Sequence, residues 1–384
     1  MKTFHARTVE DVQACVREHV DARRRGAGDV EHRGPLRPVA GRSKTALSGG
    51  DGAMLDTSAI AGVIDYQPDE CTFTARAATR VDDVEAMLTA RGQYLPFEPP
   101  FATRGATLGG TVAAALSGPG RLRYGGVRDF LLGVRFVDGE ARVIRGGGRV
   151  VKNAAGFYFQ HLLLGSLGTL GVLTELTFKV FPTPQARATL IADHETLTAA
   201  IDTLSRLRRS TFELDAAELI PPGRLLLRLG GSPTALTSRV DKVSGWLCTA
   251  GAVALRQLAD DEEQRYWHEA RELTWAPTSP ALVKVATSLG RIAQLDQHLA
   301  DATRRYGAAG DVAWIAWPHG LSRLDSILGE LGLPGMVVIG DDAREPFAGP
   351  LLGRRPDEAF LSRVRRTLDP HGVFSATAPT PRHD

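Results

Sequence analysis

The chain has 384 residues, of which 43% are hydrophobic and 23% are charged, and its formal net charge is +2. This length predicts two domains, and the composition is that of an ordinary globular protein. The nearly balanced charge argues against a dedicated nucleic-acid or membrane surface.

The first half of the chain predicts short strands and few helices. Thr8 and Asp11 are spaced as a capping pair at the start of an amphipathic helix. Residues 127–138 predict one long buried strand, and residues 139–140 predict a hairpin turn. The other predicted strands are 36–40, 54–58, 62–66, 72–76, 92–96, 141–145 and 171–180, and the other predicted helices are 80–88, 109–117 and 157–164.

The second half has a different pattern of predicted helices and strands. Pro182 and Pro184 predict a linker, because proline discourages regular structure on both sides. The helices predicted after the linker recur between strand pairs, which favours an α+β layer with helices on one face of an antiparallel sheet. The predicted helices are 195–207, 235–249, 262–273, 290–305, 321–331 and 356–368, and the predicted strands are 212–219, 224–229, 281–287, 312–317 and 336–339.

The cysteines and the hydrophobic segments bear on the compartment. Cys15, Cys71 and Cys248 lie far apart and form no CxxC motif, so an iron–sulfur cluster or a zinc site held by this chain alone is not expected. We predict no metal site. No signal-peptide core and no apolar stretch of about 20 residues is found. We therefore expect a cytoplasmic protein whose membrane association, where it occurs, is through partner subunits.

Residues 105–177 are dense in glycine and alanine. Glycine loses the most backbone freedom on ordering, so such a run is typical of a backbone that closely approaches a flat or phosphorylated ligand. Three glycine-rich turns, at residues 38–45, 105–110 and 165–175, suit a nucleotide-type cofactor with a diphosphate. Taken singly, residues 38–45 have an ordinary strand-end turn as the alternative, and residues 105–110 have a tightly packed pair of small-residue helices.

Together these turns resemble the FAD-binding domain of the vanillyl-alcohol-oxidase family, also called the PCMH type. Within it they are similar to the FAD-binding (GlcE) subunits of glycolate oxidase. The resemblance is strong over residues 35–182 and rests on five motifs in order, which are residues 38–45, 105–118, 125–133, 151–156 and 165–175.

The resemblance implies an α+β chain with three parts. A two-lobed PCMH-type FAD-binding domain would span residues 1–182, an α+β cap domain with an antiparallel sheet would span residues 183–345, and residues 346–384 would return towards the FAD domain. It also implies which residues bind the cofactor, with loop 40–45 on the diphosphate. The expected set is Pro38, Val39, Ala40, Gly41, Arg42, Ser43, Lys44, Thr45, Gly105, Ala106, Thr107, Gly109, Gly110, Ser117, Gly118, Arg128, Asp129, Gly165, Gly168, Gly171 and Val172.

The chain departs from the family pattern at several positions. Ala40 and Arg42 replace glycines of the first loop, which puts the strength of FAD binding there in question. The loop has no His or Cys, so we expect non-covalent FAD. The His-rich metal motif of larger relatives is absent, and His319 and His268 are interpreted as a loop and a surface or packing residue. The family's Asn-Pro-Gly ending is missing as well.

The function implied is that of an FAD-binding subunit of a glycolate (2-hydroxy-acid) oxidase or dehydrogenase. Electrons would pass through flavin to an iron–sulfur subunit, beside a catalytic flavoprotein subunit. A stand-alone FAD-dependent alcohol or hydroxy-acid oxidoreductase and a non-catalytic FAD-binding or assembly subunit remain alternatives. No catalytic residue is assigned. Arg121, Arg123 and Tyr124 are candidates to orient a carboxylate, although ordinary loop contacts are favoured for them.

Overall fold

The computed structural model describes residues 2–25, 34–48, 52–148, 159–277, 281–340 and 349–374. The predicted motif at residues 151–156 lies outside these ranges. Helices and mostly antiparallel sheets mix along the chain, which confirms the predicted α+β class. None of the helices in the described ranges has the length and apolar character needed to cross a membrane.

The chain begins with a small parallel sheet. Its strands are ordered Thr3–His5, Ala53–Asp56, Leu36–Val39. Helix Val9–Arg25 packs on it, and its start is capped as predicted. The amide of Asp11 donates to Thr8 Oγ1 over 3.1 Å, and the amide of Thr8 donates to Asp11 Oδ2 over 2.9 Å.

A five-stranded antiparallel sheet forms the second lobe of the N-terminal half. Phe73, Phe136 and Phe178 are buried against the elements around it. Strands Leu131–Val137 and Val143–Gly147 form the predicted hairpin. The strand order is Val63–Gln67, Thr72–Arg76, Val172–Lys179, Leu131–Val137, Val143–Gly147, and the helices are Thr45–Ser48, Val81–Thr89, Leu108–Ala114, Arg121–Tyr124, Val127–Phe130 and the 3₁₀ turn Phe159–Leu163.

The C-terminal half is a nine-stranded antiparallel sheet. The helices pack mainly on one face of this sheet, as the recurrence of helices between strand pairs predicted. The strand order is Ala254–Ala259, Ala186–Asp193, Arg224–Gly231, Ala216–Ile220, Thr303–Gly307, Val312–Trp317, Ala281–Ala286, Pro334–Gly340, Leu351–Gly353. The helices are Leu197–Arg208, Pro233–Thr249, Asp260–Glu272, Ile292–Asp296, Leu321–Glu330 and Glu358–Leu368, with 3₁₀ turns at Leu289–Arg291 and Ala308–Gly310.

Several sequence predictions were wrong in detail. The predicted strand 127–138 begins as the helical turn Val127–Phe130, because Asp129 accepts the amide of Gly126 and caps that turn. The predicted helix 290–305 ends at Asp296, and Thr303–Gly307 is a strand. The predicted linker around Pro182 contains the short strand Phe181–Pro182, which pairs with Gln93–Tyr94. The predictions missed strands Thr3–His5, Ala186–Asp193, Ala254–Ala259 and Leu351–Gly353.

The two halves share one hydrophobic core. Alternate residues of a strand point to opposite faces of a sheet. Val283 and Ile315 therefore pack among the helices, whereas Leu282 and Trp314 pack with the phenylalanines of the N-terminal half. The nine-stranded sheet thus lies directly against the glycine-rich segment.

The last described residues contact the first sheet. The amide of Leu36 donates to the carbonyl of Val373, and Phe374 is buried beside the small parallel sheet. Asp369 accepts the amides of Val373 and Phe374 over 2.7 and 2.8 Å. These bonds fix the end of the described chain against strand Leu36–Val39.

Candidate functional site

The predicted glycine turns surround one cleft in the N-terminal half. Small residues, chiefly glycine, alanine, serine and threonine, form most of its lining. We call it the glycine cleft. Its predicted residues are Pro38, Val39, Ala40, Gly41, Arg42, Ser43, Lys44, Thr107, Gly109, Gly110, Gly168, Gly171 and Val172, and its other lining residues are Leu47, Ser48, Thr57, Ala77, Ala113, Ala114, Ser166, Leu167 and Leu173.

One wall of the cleft is the loop that follows strand Leu36–Val39. The amides of residues 40–44 donate no hydrogen bond to any residue that the structure describes. Arg42 has a left-handed backbone, with φ of 49°, and its guanidinium donates to Asp56 over 3.1 Å. Adjacent amides without internal partners around a left-handed residue form an anion-binding concavity.

Lys44 places a buried charge in this wall. Its side chain is 5% exposed, and Nζ donates to Ser43 Oγ over 3.2 Å. No carboxylate among the described residues pairs with it, and burial lowers its pKa to about 8. A methyl group added to Gly110 would lie 3.8 Å from Nζ, so the ammonium faces the second glycine turn. An ammonium without a counter-charge at this depth suits an anionic ligand.

The second turn contributes less than the sequence predicted. The amides at the start of helix Leu108–Ala114 were expected to be free for an anion. They are bonded within the protein instead, as Leu108 donates to Thr79, Gly109 to Ala77 and Gly110 to Thr107 Oγ1. The turn therefore brings small residues close to the first loop, but it offers no free amide at these three positions.

A second, narrow cavity lies between the two halves of the chain. We call it the boundary cavity. Ser117 and Gly118 line it from the N-terminal half, and Trp267 and Trp314 line it from the C-terminal half. The segment that supplies Ala113 and Ala114 to the glycine cleft thus continues into this cavity.

Two cations lie close to the segment that contributes residues to both cavities. Lys284, half-buried on the sheet face that meets the N-terminal half, donates from Nζ to the carbonyl of Ala115 over 3.2 Å. Burial and then the charge of Arg121 lower the pKa of Lys284 to about 8. Arg121 lines the boundary cavity, and no described carboxylate is within ion-pair distance of either cation. Two adjacent cations of this kind favour an anion between the halves.

The remaining predicted residues lie outside the glycine cleft. Thr45 bonds the carbonyl of Gly340, Ala106 is buried, and Gly105 lies with its carbonyl under Gly41. Gly165 donates to the carbonyl of Val112 behind the helix. The residues concerned are Thr45, Gly105, Ala106, Ser117, Gly118, Arg128, Asp129 and Gly165.

The other carboxylate candidates make structural contacts. Arg123 pairs with Glu213 over 3.0 Å, and the Tyr124 ring packs edge-on against Tyr94. Arg128 helps to lower the pKa of His161, after burial of that ring. Lys284 was not selected in the sequence analysis. The one signal that could have drawn attention to it is that lysine is rare in this chain.

The comparisons with known proteins agree with this geometry. Residues 3–147 match the family model described as "FAD binding domain". The chain is 46% identical to "Glycolate oxidase subunit GlcE" of Escherichia coli K12 over 139 residues, which is 36% of this chain and 40% of that protein. We call this part of the chain the FAD domain, after the family model that it matches.

The FAD domain has further relatives. Over 196 residues the chain is 31% identical to "Glycolate oxidase subunit GlcD" of Bacillus subtilis 168, which is 50% of this chain and 40% of that protein. The chain thus spans about two fifths of the curated relatives it matches. A solved "alkyldihydroxyacetonephosphate synthase" superimposes with a TM-score of 0.68 at 16% identity, over 97% of this chain and 75% of that one, which shows the shared fold.

The residues of the glycine cleft fit FAD. The cofactor carries an anionic diphosphate, and the cleft has the buried ammonium of Lys44, which no described carboxylate pairs with, beside the amides of residues 40–44. Gly41 and Gly168 lie so close to Gly105 and Pro38 that a Cβ atom on them would lie 1.9 and 3.3 Å from those residues, so the main chain itself forms these parts of the wall. The FAD domain therefore supplies both the charge and the close backbone approach that a dinucleotide requires.

Histidines do not gather at the site. His319 faces Asp301 over 3.5 Å, and His268 is exposed. Within the described ranges, no three His, Cys, Asp or Glu side chains come together as a metal site.

Proposed function

We propose that this chain is the FAD-binding subunit of an oxidoreductase complex that acts on the CH–OH group of a small 2-hydroxy acid such as glycolate. The observation that carries the proposal is the buried ammonium of Lys44 beside the amides of residues 40–44 in the glycine cleft, which donate to no described residue, together with two further cations, Lys284 and Arg121, that no described carboxylate pairs with. The names of the similar proteins, two glycolate oxidase subunits, support the substrate class.

The cofactor would be held without a covalent bond. Lys44 would neutralise part of the diphosphate charge, and the amides of residues 40–44 would donate to its oxygens. The described residues that line the glycine cleft include no His, Cys or Tyr, which supports non-covalent binding. When bound, FAD supplies the two-electron redox chemistry that amino-acid side chains lack.

Lys284 and Arg121 would hold the carboxylate of the substrate. Both are cations with no carboxylate partner among the described residues. Arg121 lines the boundary cavity, and Lys284 bonds the carbonyl of Ala115, two residues before Ser117 of that cavity. Their charges would fix the acid end of a 2-hydroxy acid. Trp267 and Trp314 would exclude water from the opposite wall, which strengthens these charge interactions.

The partners would be a catalytic flavoprotein subunit and an iron–sulfur subunit that receives the electrons. The three cysteines of this chain are free and lie far apart in the sequence, which supports placing the iron–sulfur cluster in a separate protein. We also propose a cytoplasmic complex that meets a membrane only through its partners. A subunit of this kind would need neither a metal site nor a complete active site of its own.

An anaerobic titration of the FAD-loaded protein tests the proposal. Glycolate or D-lactate should bleach the oxidised-flavin absorbance, either in the isolated chain or once the co-purified iron–sulfur partner is present. Bleaching of the isolated chain with multiple turnovers would indicate a stand-alone oxidoreductase. No bleaching in the complete complex would contradict hydroxy-acid oxidation and favour a non-catalytic FAD-binding subunit.

A further inference from the structure

A short segment of the FAD domain is held by side chains from the C-terminal half. It runs from Pro96 to Ala106, and two of its non-glycine residues, Glu98 and Phe101, have left-handed backbones with φ of 46° and 66°. Such conformations cost about 1–3 kcal/mol each and persist where the surroundings fix them. The surroundings that fix this segment are therefore informative.

Glu272 is the side chain that fixes its end. This carboxylate, 1% exposed at the end of helix Asp260–Glu272, accepts the amide of Ala102 over 3.1 Å. It also accepts the amide of Thr103 over 3.2 Å and the hydroxyl of Thr103 over 2.7 Å. Three bonds to one turn leave both carboxylate oxygens occupied and hold the turn in one orientation.

The turn that Glu272 holds supports the glycine cleft from behind. The amide of Ala106 donates back to the carbonyl of Phe101, which closes the turn. The carbonyl of Gly105 then lies under Gly41, and the Phe101 ring lies 5.8 Å from Lys44 Nζ. The first loop of the FAD site thus rests on a turn whose position depends on the C-terminal half.

Two neighbouring ion pairs reinforce the same link. Arg271 donates to Glu85 of the FAD domain over 2.7 Å and lies 3.1 Å from Glu272. Glu98 accepts Arg228 of the nine-stranded sheet over 2.7 Å, and with its other oxygen it accepts the amide of Gly120 over 2.7 Å. Gly120 lies beside the boundary cavity, so the segment connects both cavities to the second sheet.

We propose that Glu272 is a positioning residue through which the C-terminal half sets the FAD affinity of the first loop. Glu272 does not line the glycine cleft or the boundary cavity. It acts on the cleft through Thr103, Phe101 and Gly105. The proposal concerns cofactor binding and is independent of which substrate the complex oxidises.

A double-mutant cycle on the full chain tests it. FAD is added to apoprotein, and the dissociation constant is measured from flavin fluorescence for wild type, Glu272→Gln, Thr103→Val and the double variant. We expect Glu272→Gln to raise Kd about tenfold and Thr103→Val about threefold. The double variant should bind FAD about as weakly as Glu272→Gln, because the hydroxyl bond that Thr103→Val removes is one of the three bonds to Glu272 that Glu272→Gln weakens.

The matched control is Glu269→Gln, an exposed acid on the same helix, which should leave Kd within about twofold of wild type. A purely structural role for Glu272 would lower the melting temperature of the apoprotein and leave Kd unchanged at a temperature where every variant is folded. That result would overturn the proposal. Additive effects of the two changes would overturn it as well.

If Glu272→Gln does not fold, the FAD dissociation constant of Thr103→Val alone tests the proposal. An unchanged Kd for Thr103→Val would then overturn it. A wild-type chain that takes up no FAD would overturn it together with the cofactor assignment. A chain that binds FAD with these couplings but oxidises no hydroxy acid would contradict the proposed function and support the role of Glu272.

Discussion

Gly41 and Gly105 meet backbone to backbone at the edge of the glycine cleft. A methyl group on Gly41 would lie 1.9 Å from the carbonyl oxygen of Gly105 and 3.0 Å from the Thr107 methyl group. The first and second glycine turns are therefore in direct contact. The first and second glycine turns can lie this close only because Gly41 has no side chain.

Gly41→Ala should disrupt this contact. We expect a loss of about 1–3 kcal/mol in the free energy of unfolding and at least a tenfold rise in the Kd for FAD, since the two loops must move apart. Chemical denaturation and FAD titration measure the two effects. Gly245→Ala is the control, because its methyl group meets no atom within 4 Å, and it should stabilise the helix by about 0.5–1 kcal/mol.

Lys44→Met should weaken FAD binding about 10–100-fold at neutral pH, because a charge-assisted bond to the diphosphate is lost. In the wild type, the pKa of Lys44 is about 8 without ligand, and an anionic ligand raises it. Wild-type affinity should therefore fall as pH rises above about 8, and the variant should show a flatter profile. Exposed Lys242→Met serves as the control, and an equal change there would contradict a specific role for Lys44.

The same lysine predicts how the stability of the apoprotein changes with pH. Its pKa is about 8 in the folded chain and 10.5 when exposed, so the unfolded chain binds more protons between these values. The unfolding free energy of the wild type should then rise relative to Lys44→Met, by about 1.5 kcal/mol between pH of about 8 and 9.5. Urea denaturation at each pH measures the difference. A constant difference would indicate that Lys44 is not desolvated.

Lys284→Met should impair carboxylate binding and spare FAD. Oxalate, which has two carboxylates and no oxidisable C–H bond, should perturb the flavin spectrum of the wild type. In the variant its Kd should rise about 10–100-fold, while the FAD Kd stays within about twofold. Lys242→Met should leave both constants unchanged. Equal oxalate binding by Lys284→Met would remove this residue from the proposed carboxylate site.

The two departures from the family's first loop have opposite expected effects. Arg42 is left-handed and Ala40 is not. Arg42→Gly should therefore be more stable than Arg42→Ala by about 1 kcal/mol, because glycine avoids the left-handed strain. Ala40→Gly should instead destabilise the chain by about 0.5–1 kcal/mol. Thermal unfolding of the three variants, compared as a set, measures this reversal of sign.

The sequence predicted local structure correctly where residues a few positions apart determine it. The Thr8 and Asp11 cap and the hairpin at residues 139–140 depend on groups a few positions apart. The predicted helix at residues 290–305 was wrong because Thr303–Gly307 pairs with two strands of the sheet. Long-range strand pairing overrides helical periodicity in such a segment.

The sequence by itself determined that glycine-rich turns would meet closely, since close backbone approach requires residues without side chains, and it predicted a dinucleotide as their ligand. Only the tertiary structure decided which donors remain free there. Thr79 and Ala77 occupy the amides of Leu108 and Gly109, whereas the amides of residues 40–44 meet no described acceptor. Likewise, Lys284 approaches Ala115 across 169 positions of sequence, because packing of the second sheet on the FAD domain brings them together. Hydrogen-bond satisfaction and the burial of charge depend on distant segments, so local sequence patterns do not specify them.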